Sequence, residues 1–394
     1  MQANRTLRLI LAITALTPAA AAQAGVDEII EVDAALRALP LVTVVPTDAA
    51  SVAEAREVAK VLSLSALFDA RPAAVGAPAG GRVVEITLAG DASTATTTRL
   101  DNTRTRRLVA RSSAPARDTA RLVDAVVEDL TGVRSHLSGE LLIVDAGTPG
   151  ERRVRVLLGT GAPLRDVSPP GLLARGPAMG PGGKVWYAAA ARGAPLQLFV
   201  EGQAAPVALR EPGFVAAVAL TADGRRGAVV LGNDAGGSLW TGVLGGAMTE
   251  IPTAGLALSP TFSIDGDLAY VAGPPDGPTR VYVGDRAVTP PGVWASAPSF
   301  CAHGGAKRLV YAQRGGGVAI VDLSTRAVRG VGLGSAPACS PDGRTVALSR
   351  GKGGGKPRGG VWLVADDGAG PHQVYDGEAA FIRWLPGAEL PPPM

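Results

Sequence analysis

Histidine is scarce in this sequence, and the three that occur, His136, His303 and His372, lie far apart along the chain. They offer little material for a metal cluster or for a histidine-dependent catalytic triad. The Gly-x-Ser-x-Gly motif of α/β-hydrolases does not occur either. The sequence therefore predicts a protein that is not an enzyme, with no catalytic residue, no cofactor and no metal ion.

Aromatic residues make up only 4% of the chain, whereas glycine and proline are abundant, at 52 and 31 residues. This composition favours many short strands and tight turns over long helices, and the lack of a Gly-X-Y period excludes collagen. The formal charge is +3, and the one basic cluster, residues 350–360, is glycine-rich and typical of a solvated loop. Nucleic acid is not an expected partner, because phosphate binding needs a concentrated cationic surface.

The first 24 residues, 1–24, have the pattern of a secretory signal peptide. Arg5 and Arg8 precede an apolar run, Leu9–Leu16, and small residues follow up to an Ala-Gln-Ala that ends at Ala24. The run is too short for a permanent membrane span, and the A-x-A pattern predicts cleavage after Ala24. A membrane anchor is the alternative. No later segment has about 18 uninterrupted apolar residues, so we expect the mature chain to be soluble outside the inner membrane.

Cys301 and Cys339 are the only two cysteines. Export to an oxidising compartment would allow them to form a disulfide. Both lie in apolar, strand-like contexts, however, and buried unpaired thiols are common in such positions. The sequence favours two buried thiols and leaves the disulfide as the alternative.

A repeated segment is the strongest internal signal in the chain. Its copies are PAMGPGG (Pro177–Gly183), VALTADG (Val218–Gly224), PTFSIDG (Pro260–Gly266), PSFCAHG (Pro298–Gly304) and PACSPDG (Pro337–Gly343). Their last glycines are 41, 42, 38 and 39 residues apart. The proline suits the first residue of a strand, and the Asp-Gly pair supplies the positive φ angles of a tight hairpin turn. Two more β-prone runs follow each copy, so each unit has the size and strand content of one β-propeller blade.

The two ends of residues 135–394 supply a sixth blade. The segment AFIRWLPG, residues 380–387, has the start of a blade, while GELLIVDAG from Gly139 and RRVRVLLG from Arg152 have its later strands. Pairing the last strand with the first ones would close the ring and remove exposed sheet edges. The sequence predicts a six-bladed β-propeller closed by its C-terminal strand.

Residues 25–134 predict a small α/β domain, so that the whole fold is mainly β with a smaller α/β domain before the propeller. A helix is predicted to begin at the capping-box pattern Ser51-x-x-Glu54. A second helix is predicted from Arg117 to Leu130, where a glycine soon follows as a stop. The β-prone runs of this region are residues 41–45, 82–88, 97–100 and 107–111.

The order of these parts resembles the TolB family, the periplasmic component of the Tol-Pal system. The segment ARLVDAVVEDLTGVRSHLSGELLIV, from Ala120, is similar to the helix, Leu-Thr-Gly and loop that lead into the family's propeller. LVTVVPT, SLSALFD and FIRWLPG resemble further family motifs, with Thr47 and Ala66 in place of the usual aromatic residue and glycine. The likeness covers nearly the whole mature chain.

The resemblance implies a non-catalytic, monomeric scaffold in the periplasm that binds Pal, an OmpA-like lipoprotein, through one mouth of the propeller. The N-terminal region would contact the inner-membrane protein TolA, and the system would help the outer membrane stay attached and constrict at division. We expect the Pal-facing residues in the loops that lead into the inner strands. The candidates are Arg175, Phe214, Ser259, Trp294 and Ser335.

Two alternatives stay open on the sequence alone. Propellers also occur in secreted hydrolases, and a propeller can bind a glycan or a calcium ion in its channel. The acidic side chains to examine for such an ion are Asp234, Asp265 and Asp267.

Overall fold

A computed structural model describes most of the chain. The described residues are 38–77, 81–89, 92–146, 150–233, 236–253, 255–303, 306–351 and 359–385. The predicted signal peptide with its cleavage after Ala24 falls outside these ranges, as does Asp234. Within these ranges, no helix is long and apolar enough to cross a membrane.

A five-stranded mixed sheet with two helices precedes the propeller. Its strands are β1 (Leu41–Pro46), β2 (Asp69–Pro72), β3 (Arg82–Ala89), β4 (Ala92–Thr98) and β5 (Arg104–Ala110), and the helices are α1 (Val52–Leu64) and α2 (Pro115–Thr131). The strand order is β2-β1-β3-β4-β5, with β1 parallel to its two neighbours and the remaining pairs antiparallel. Both predicted helices are thus present, and each predicted strand overlaps an observed one, although the run 97–100 shares only its first two residues with β4 and β2 was not predicted. The domain bounds 25–134 stay a prediction.

The two helices are bounded by different contacts. Ser51 precedes α1 but makes no side-chain cap hydrogen bond, so the predicted capping box is wrong. The Ser51 hydroxyl donates instead to Asp48 Oδ1 at 2.6 Å, because a nearby carboxylate is a stronger acceptor than a neutral group. Helix α2 stops as predicted, since Gly132 has a φ of 76°, a left-handed conformation that glycine adopts without a Cβ penalty.

Six sheets form the propeller, and we number its blades along the chain. Blade 1 holds β9 (Leu172–Met179), β10 (Val185–Ala191) and β11 (Gln197–Val200); blade 2 holds β12 (Phe214–Leu220), β13 (Gly227–Asn233), β14 (Gly236–Gly242) and β15 (Met248–Ile251). Blade 3 holds β16 (Leu256–Phe262), β17 (Leu268–Gly273), β18 (Arg280–Val283) and β19 (Arg286–Ala287); blade 4 holds β20 (Ala295–His303), β21 (Ala306–Gln313), β22 (Gly317–Asp322) and β23 (Val328–Leu333). Blade 5 holds β24 (Ser335–Cys339), β25 (Thr345–Arg350), β26 (Gly360–Ala365) and β27 (His372–Tyr375).

Blade 6 joins the two ends of the propeller, as predicted. Its strands are β28 (Ala379–Leu385), β6 (Glu140–Asp145), β7 (Arg153–Leu158) and β8 (Pro163–Asp166). Strand β28 pairs antiparallel with β6, and Ile382 and Trp384 lie opposite Ile143 and Leu141. All four side chains are buried, so closure adds apolar packing to the ladder hydrogen bonds. In the described part of blade 1, a single bridge between Leu198 and Val207 stands where the other blades have a fourth strand.

The expectation of two buried thiols is wrong, because Cys301 of β20 and Cys339 of β24 form a disulfide. Their Cα atoms are 5.3 Å apart, and both residues are buried. The pairing follows from the repeat. Nearly equivalent positions of neighbouring copies lie side by side in adjacent inner strands, although the two cysteines are 38 positions apart in sequence.

The N-terminal sheet and helices contact one end of the propeller, which we call the turn face because the Asp-Gly turns lie there. Just after the turn of blade 5, Arg344 Nη1 donates to Thr131 Oγ1 at 2.9 Å. Thr345 Oγ1 donates to the Ser65 carbonyl at 3.1 Å, and both of these residues are buried. These bonds join residues more than 200 positions apart, so they tie the two parts of the chain together.

One apolar core is continuous across this contact. It includes Leu62 of α1, Val126 of α2, Leu141 of β6, Leu363 of β26 and Trp384 of β28, all buried. Separating the N-terminal sheet from the propeller would expose these side chains to water, at about 25 cal/mol for each Å² of apolar surface. We therefore expect the two parts to unfold together.

A buried carboxylate holds the linker between α2 and β6. Asp124 accepts hydrogen bonds from Ser135 Oγ at 2.6 Å, Leu137 N at 2.8 Å and Ser138 N at 2.9 Å. Burial raises the pKa of Asp124, and these hydrogen bonds oppose the rise. The carboxylate satisfies two backbone N–H groups that would otherwise be buried without partners, and so it positions the chain where it enters blade 6.

Candidate functional site

The six inner strands, β9, β12, β16, β20, β24 and β28, line a channel along the propeller axis. Each pairs along its length with one strand, in its own blade, and β9 also has a bridge between Leu173 and Arg152. About half of each inner strand's backbone N–H and C=O groups therefore face the channel rather than a partner strand. All six strands begin at the end opposite to the turn face, and we call that end the mouth.

Every inner strand has a β-bulge at about the same level of the channel. The register shifts follow Val215 in β12, Leu258 in β16, Ser296 in β20, Ser335 in β24 and Ala379 in β28, and a sixth lies in β9 opposite Trp186 and Ala188. A bulge bends a strand and increases its local twist. Six bulges at one level therefore shape the wall of the channel.

Four bulge residues have a left-handed backbone and precede a proline. The φ angle is 44° at Gly176 and 47° at Ser259, Ala297 and Ala336. Such a conformation costs a non-glycine residue roughly 1–2 kcal/mol, and it persists only where the surrounding structure imposes it. The repeat proline thus lies at the bulge, inside the inner strand, rather than at the strand's first residue as its sequence pattern predicts.

A cavity of about 190 Å³ lies in the channel at this level. Residues from all six inner strands line it, among them Gly176, Ala217, Ser259, Pro298, Pro337 and Phe381. Most of the lining is small and apolar, which leaves room on the axis. The charged residues of the lining are Arg152, Arg175 and Arg383, and its described residues include no aspartate or glutamate.

Arg383 crosses the channel. It belongs to β28 in blade 6, and its Nη2 donates a hydrogen bond at 3.0 Å to Oγ1 of Thr261 in blade 3, on the opposite side of the ring. The guanidinium also lies over the Phe381 ring, 5.9 Å from its centroid. Burial lowers the pKa of Arg383 to about 10, so the side chain is still charged at neutral pH. The described residues give this guanidinium no carboxylate partner.

Large apolar side chains are exposed around the mouth. Phe214 begins β12 and is 42% exposed, Leu258 in β16 is 41% exposed, and Leu333 at the end of β23 is 51% exposed. We call these three residues the mouth rim. Apolar side chains gathered on a surface are typical of protein-binding sites, because burial in a partner removes them from water.

The structure brings together some of the residues predicted from sequence. Arg175 and Ser259 both line the cavity, and Phe214 lies on the mouth rim. Trp294 is half-buried outside the lining and stacks with Arg314, whose Cζ is 4.6 Å from the ring centroid. Ser335 is exposed at the first position of β24, next to the lining residues Ala336 and Pro337. Their role in binding stays a prediction.

Sequence reasoning missed Arg152 and Arg383. A signal for Arg383 was present, since it is the only charge in the strand AAFIRWL, whose other residues are apolar. No comparable signal exists for Arg152, which lies among the three arginines of a surface-like segment and joins the lining where its backbone pairs with β9 of blade 1.

The acidic residues named for a calcium ion lie elsewhere. Asp265 and Asp267 flank the turn glycine of blade 3 and both pair with Lys307 Nζ at 2.9 Å. Neither lines the cavity. Across the described ranges, no group of three His, Cys, Asp or Glu residues is placed to hold a metal ion.

No protein-family model matches the chain, and no curated protein matches its sequence. Among solved structures, the chain is similar to TolB from Acinetobacter baumannii. The match has 16% identity and a TM-score of 0.70, and it covers 89% of this chain and 97% of that one. This chain has a TolB-like fold.

Two further solved structures match less well. One, from Agrobacterium tumefaciens and assigned to TolB, has 16% identity, a TM-score of 0.44, and coverage of 63% of this chain and 97% of that chain. The other is a puromycin-hydrolysing peptidase from Mycobacterium tuberculosis, with 17% identity, a TM-score of 0.40, and coverage of 75% of this chain and 53% of that chain.

Proposed function

We propose that this protein is a non-catalytic scaffold of the TolB type, a monomer exported to the periplasm. Its propeller mouth binds a Pal-like lipoprotein of the OmpA family, and its N-terminal region contacts a TolA-like protein of the inner membrane. In this role it supports the attachment of the outer membrane and its constriction at division. The observation that carries the proposal is the fold shared with TolB over 89% of the chain.

The mouth has properties that suit a protein partner. A ring of loops from six blades offers a broad composite surface, and the mouth rim adds exposed apolar side chains to it. The contacts of the N-terminal sheet described above are all on the turn face. A partner at the mouth and a partner at the N-terminal region would therefore meet different ends of the molecule.

The experiment is a titration of the purified protein with the periplasmic domain of the OmpA-like lipoprotein from the same organism. We expect saturable binding by calorimetry. A triple variant, Phe214→Ser, Leu258→Ser and Leu333→Ser, should weaken binding at least tenfold, because it removes the apolar side chains that the partner would bury. The matched control is Ile264→Ser, which removes an apolar side chain that is 84% exposed at a turn of the turn face.

Two results would overturn the proposal. One is a lack of binding to the lipoprotein, and the other is equal affinity for the triple variant and the unaltered chain. The five sequence candidates are tested in the same assay by a combined alanine variant at Arg175, Phe214, Ser259, Trp294 and Ser335. Unchanged binding by that variant would remove those five residues from the site, Phe214 of the mouth rim included, and would leave Leu258 and Leu333 to be judged by the triple variant.

A further inference from the structure

We propose that the channel cavity is a binding site for a small oxyanion, a phosphate or carboxylate compound, held by Arg383 together with Arg152 and Arg175. None of the three mouth-rim residues belongs to the lining of this cavity. The proposal does not depend on the partners proposed above, because it is argued from the lining residues of the cavity alone.

The first argument is charge. The residues that line the cavity include three arginines, Arg152, Arg175 and Arg383, and no aspartate or glutamate. A guanidinium has five N–H donors, and Arg383 uses one in a bond to a neutral hydroxyl, that of Thr261. Buried charges in proteins are normally paired, because removing an unpaired charge from water is costly. An oxyanion in the cavity would supply the missing partner.

The second argument is position. The bond between Arg383 in blade 6 and Thr261 in blade 3 joins opposite sides of the ring, so the guanidinium lies near the axis. A ligand in the cavity therefore meets this charge directly. Arg152 and Arg175 line the same space from blade 6 and blade 1. Guanidinium groups bind carboxylates and phosphates in a bidentate geometry, which gives such a site specificity as well as affinity.

The third argument is the wall of the cavity. Apart from β9, whose second edge bonds to the backbone of Arg152, each inner strand pairs with one strand only, so backbone N–H groups on its other edge are available as further donors. The hydroxyls of Ser259 and Ser299 also belong to the lining. Neutral donors of this kind complete many anion sites that contain arginine.

Size limits the ligand. The cavity of about 190 Å³ equals the volume of about six water molecules in the liquid. Pockets for drug-sized ligands have roughly 300–1,000 Å³. The site therefore suits inorganic phosphate, a small phosphate ester or a short dicarboxylate rather than a nucleotide.

The experiment titrates the purified protein with inorganic phosphate, sulfate and succinate at constant ionic strength, with calorimetry and thermal unfolding as readouts. We expect one binding site per chain for at least one of the three anions, and a saturable rise in the melting temperature. Succinate without phosphate would identify a carboxylate site, and phosphate without succinate would identify a phosphate site. No saturable binding of any of the three up to tens of millimolar would overturn the proposal.

Variants assign the site to its residues. Arg383→Met should weaken anion binding at least tenfold, while Arg383→Lys, which keeps the charge but loses the fork of donors, should weaken it less. The matched control is Arg225→Met, which removes an arginine side chain that is 88% exposed on the surface and should leave binding unchanged. Equal affinity for Arg383→Met and the unaltered chain would overturn the proposal.

A second variant, Arg175→Met, can test the site if Arg383→Met does not fold. Arg175 is an exposed lining residue and makes no hydrogen bond or ion pair among the described residues, so Arg175→Met should keep the melting temperature in anion-free buffer. It should weaken binding at least threefold. Unchanged affinity in this variant, with a folded protein, would also count against the site.

Discussion

The two ends of the propeller differ in how their residues are held. At the turn face, side chains from the N-terminal sheet and from the propeller share one buried core, and hydrogen bonds join residues such as Ser65 and Thr345. At the mouth, Phe214 and Leu333 are exposed and the inner strands pass through left-handed bulge residues. We therefore expect substitutions at the turn face to cost more stability than substitutions at the mouth, where we propose that a partner binds.

The closing strand provides the largest test of this comparison. Deleting residues 380–394 removes most of β28 and with it the buried side chains of Ile382 and Trp384. Loss of a buried tryptophan alone costs about 3–5 kcal/mol, and the deletion also exposes the edge of β6. We expect the cooperative unfolding transition to disappear in circular dichroism. A chain that ends after Leu385 keeps the whole strand and is the control; an unchanged melting temperature in the longer deletion would disprove closure by β28.

The disulfide is expected to have the second-largest effect. It joins the inner strands of blades 4 and 5 near the turn face, across a separation of 38 residues. Constraint of the unfolded chain by a loop of this length stabilises a protein by about 4 kcal/mol in the chain-entropy account. The double variant Cys301→Ala and Cys339→Ala should unfold at correspondingly lower urea concentration.

Reduction is the control for the disulfide. The unaltered chain in excess reductant should unfold at nearly the same urea concentration as the double variant, because both lack the crosslink. A double variant as stable as the oxidised chain would show that the disulfide does not contribute to the stability of the turn face.

A smaller effect is expected at the contact between the sheet and the propeller. Thr345→Val removes the hydroxyl that donates to the Ser65 carbonyl and leaves that buried acceptor without its partner. The expected loss is about 1–2 kcal/mol in the free energy of unfolding. The matched control is Thr97→Val, because the Thr97 hydroxyl is buried and has no partner among the described residues. That control should be neutral or stabilising, and equal losses in both variants would contradict the assignment.

The mouth rim should have the smallest effect on stability. Phe214→Ser, Leu258→Ser and Leu333→Ser replace exposed side chains, and surface substitutions usually change the free energy of unfolding by less than about 0.5 kcal/mol. Urea unfolding of each variant measures this directly. A loss of more than about 2 kcal/mol would mean that the rim is part of the structural core, and the comparison between the two ends would then fail.

Much of the fold was predictable because it depends on local chemistry. The turn at Asp342-Gly343 needs a positive φ, which Gly343 has at 68°, and the same turn recurs at a blade's spacing. The stop of α2 at Gly132 follows from the same property of glycine. The start of α1 was predicted with the wrong contact, because the Ser51 hydroxyl bonds to Asp48 rather than to the helix.

The candidate site was only partly predictable. Arg175 and Ser259 were named because loops before inner strands converge at the axis of a propeller, and both line the cavity. Arg383 was not named, because its contact with Thr261 requires blades 6 and 3 to face each other across the channel, and the sequence does not show this. The disulfide was likewise missed, because it depends on the lateral distance between two neighbouring inner strands.

The sequence by itself determined the number of blades, their turns and the closure of the ring. Period, turn glycines and alternating strands are properties of short segments, and each blade repeats them. Only the tertiary structure decided that Arg152, Arg175 and Arg383 share one cavity and that Cys301 meets Cys339. Arg175 and Arg383 belong to different blades, and so do Cys301 and Cys339, so the distance between them is set by how the blades pack around the axis.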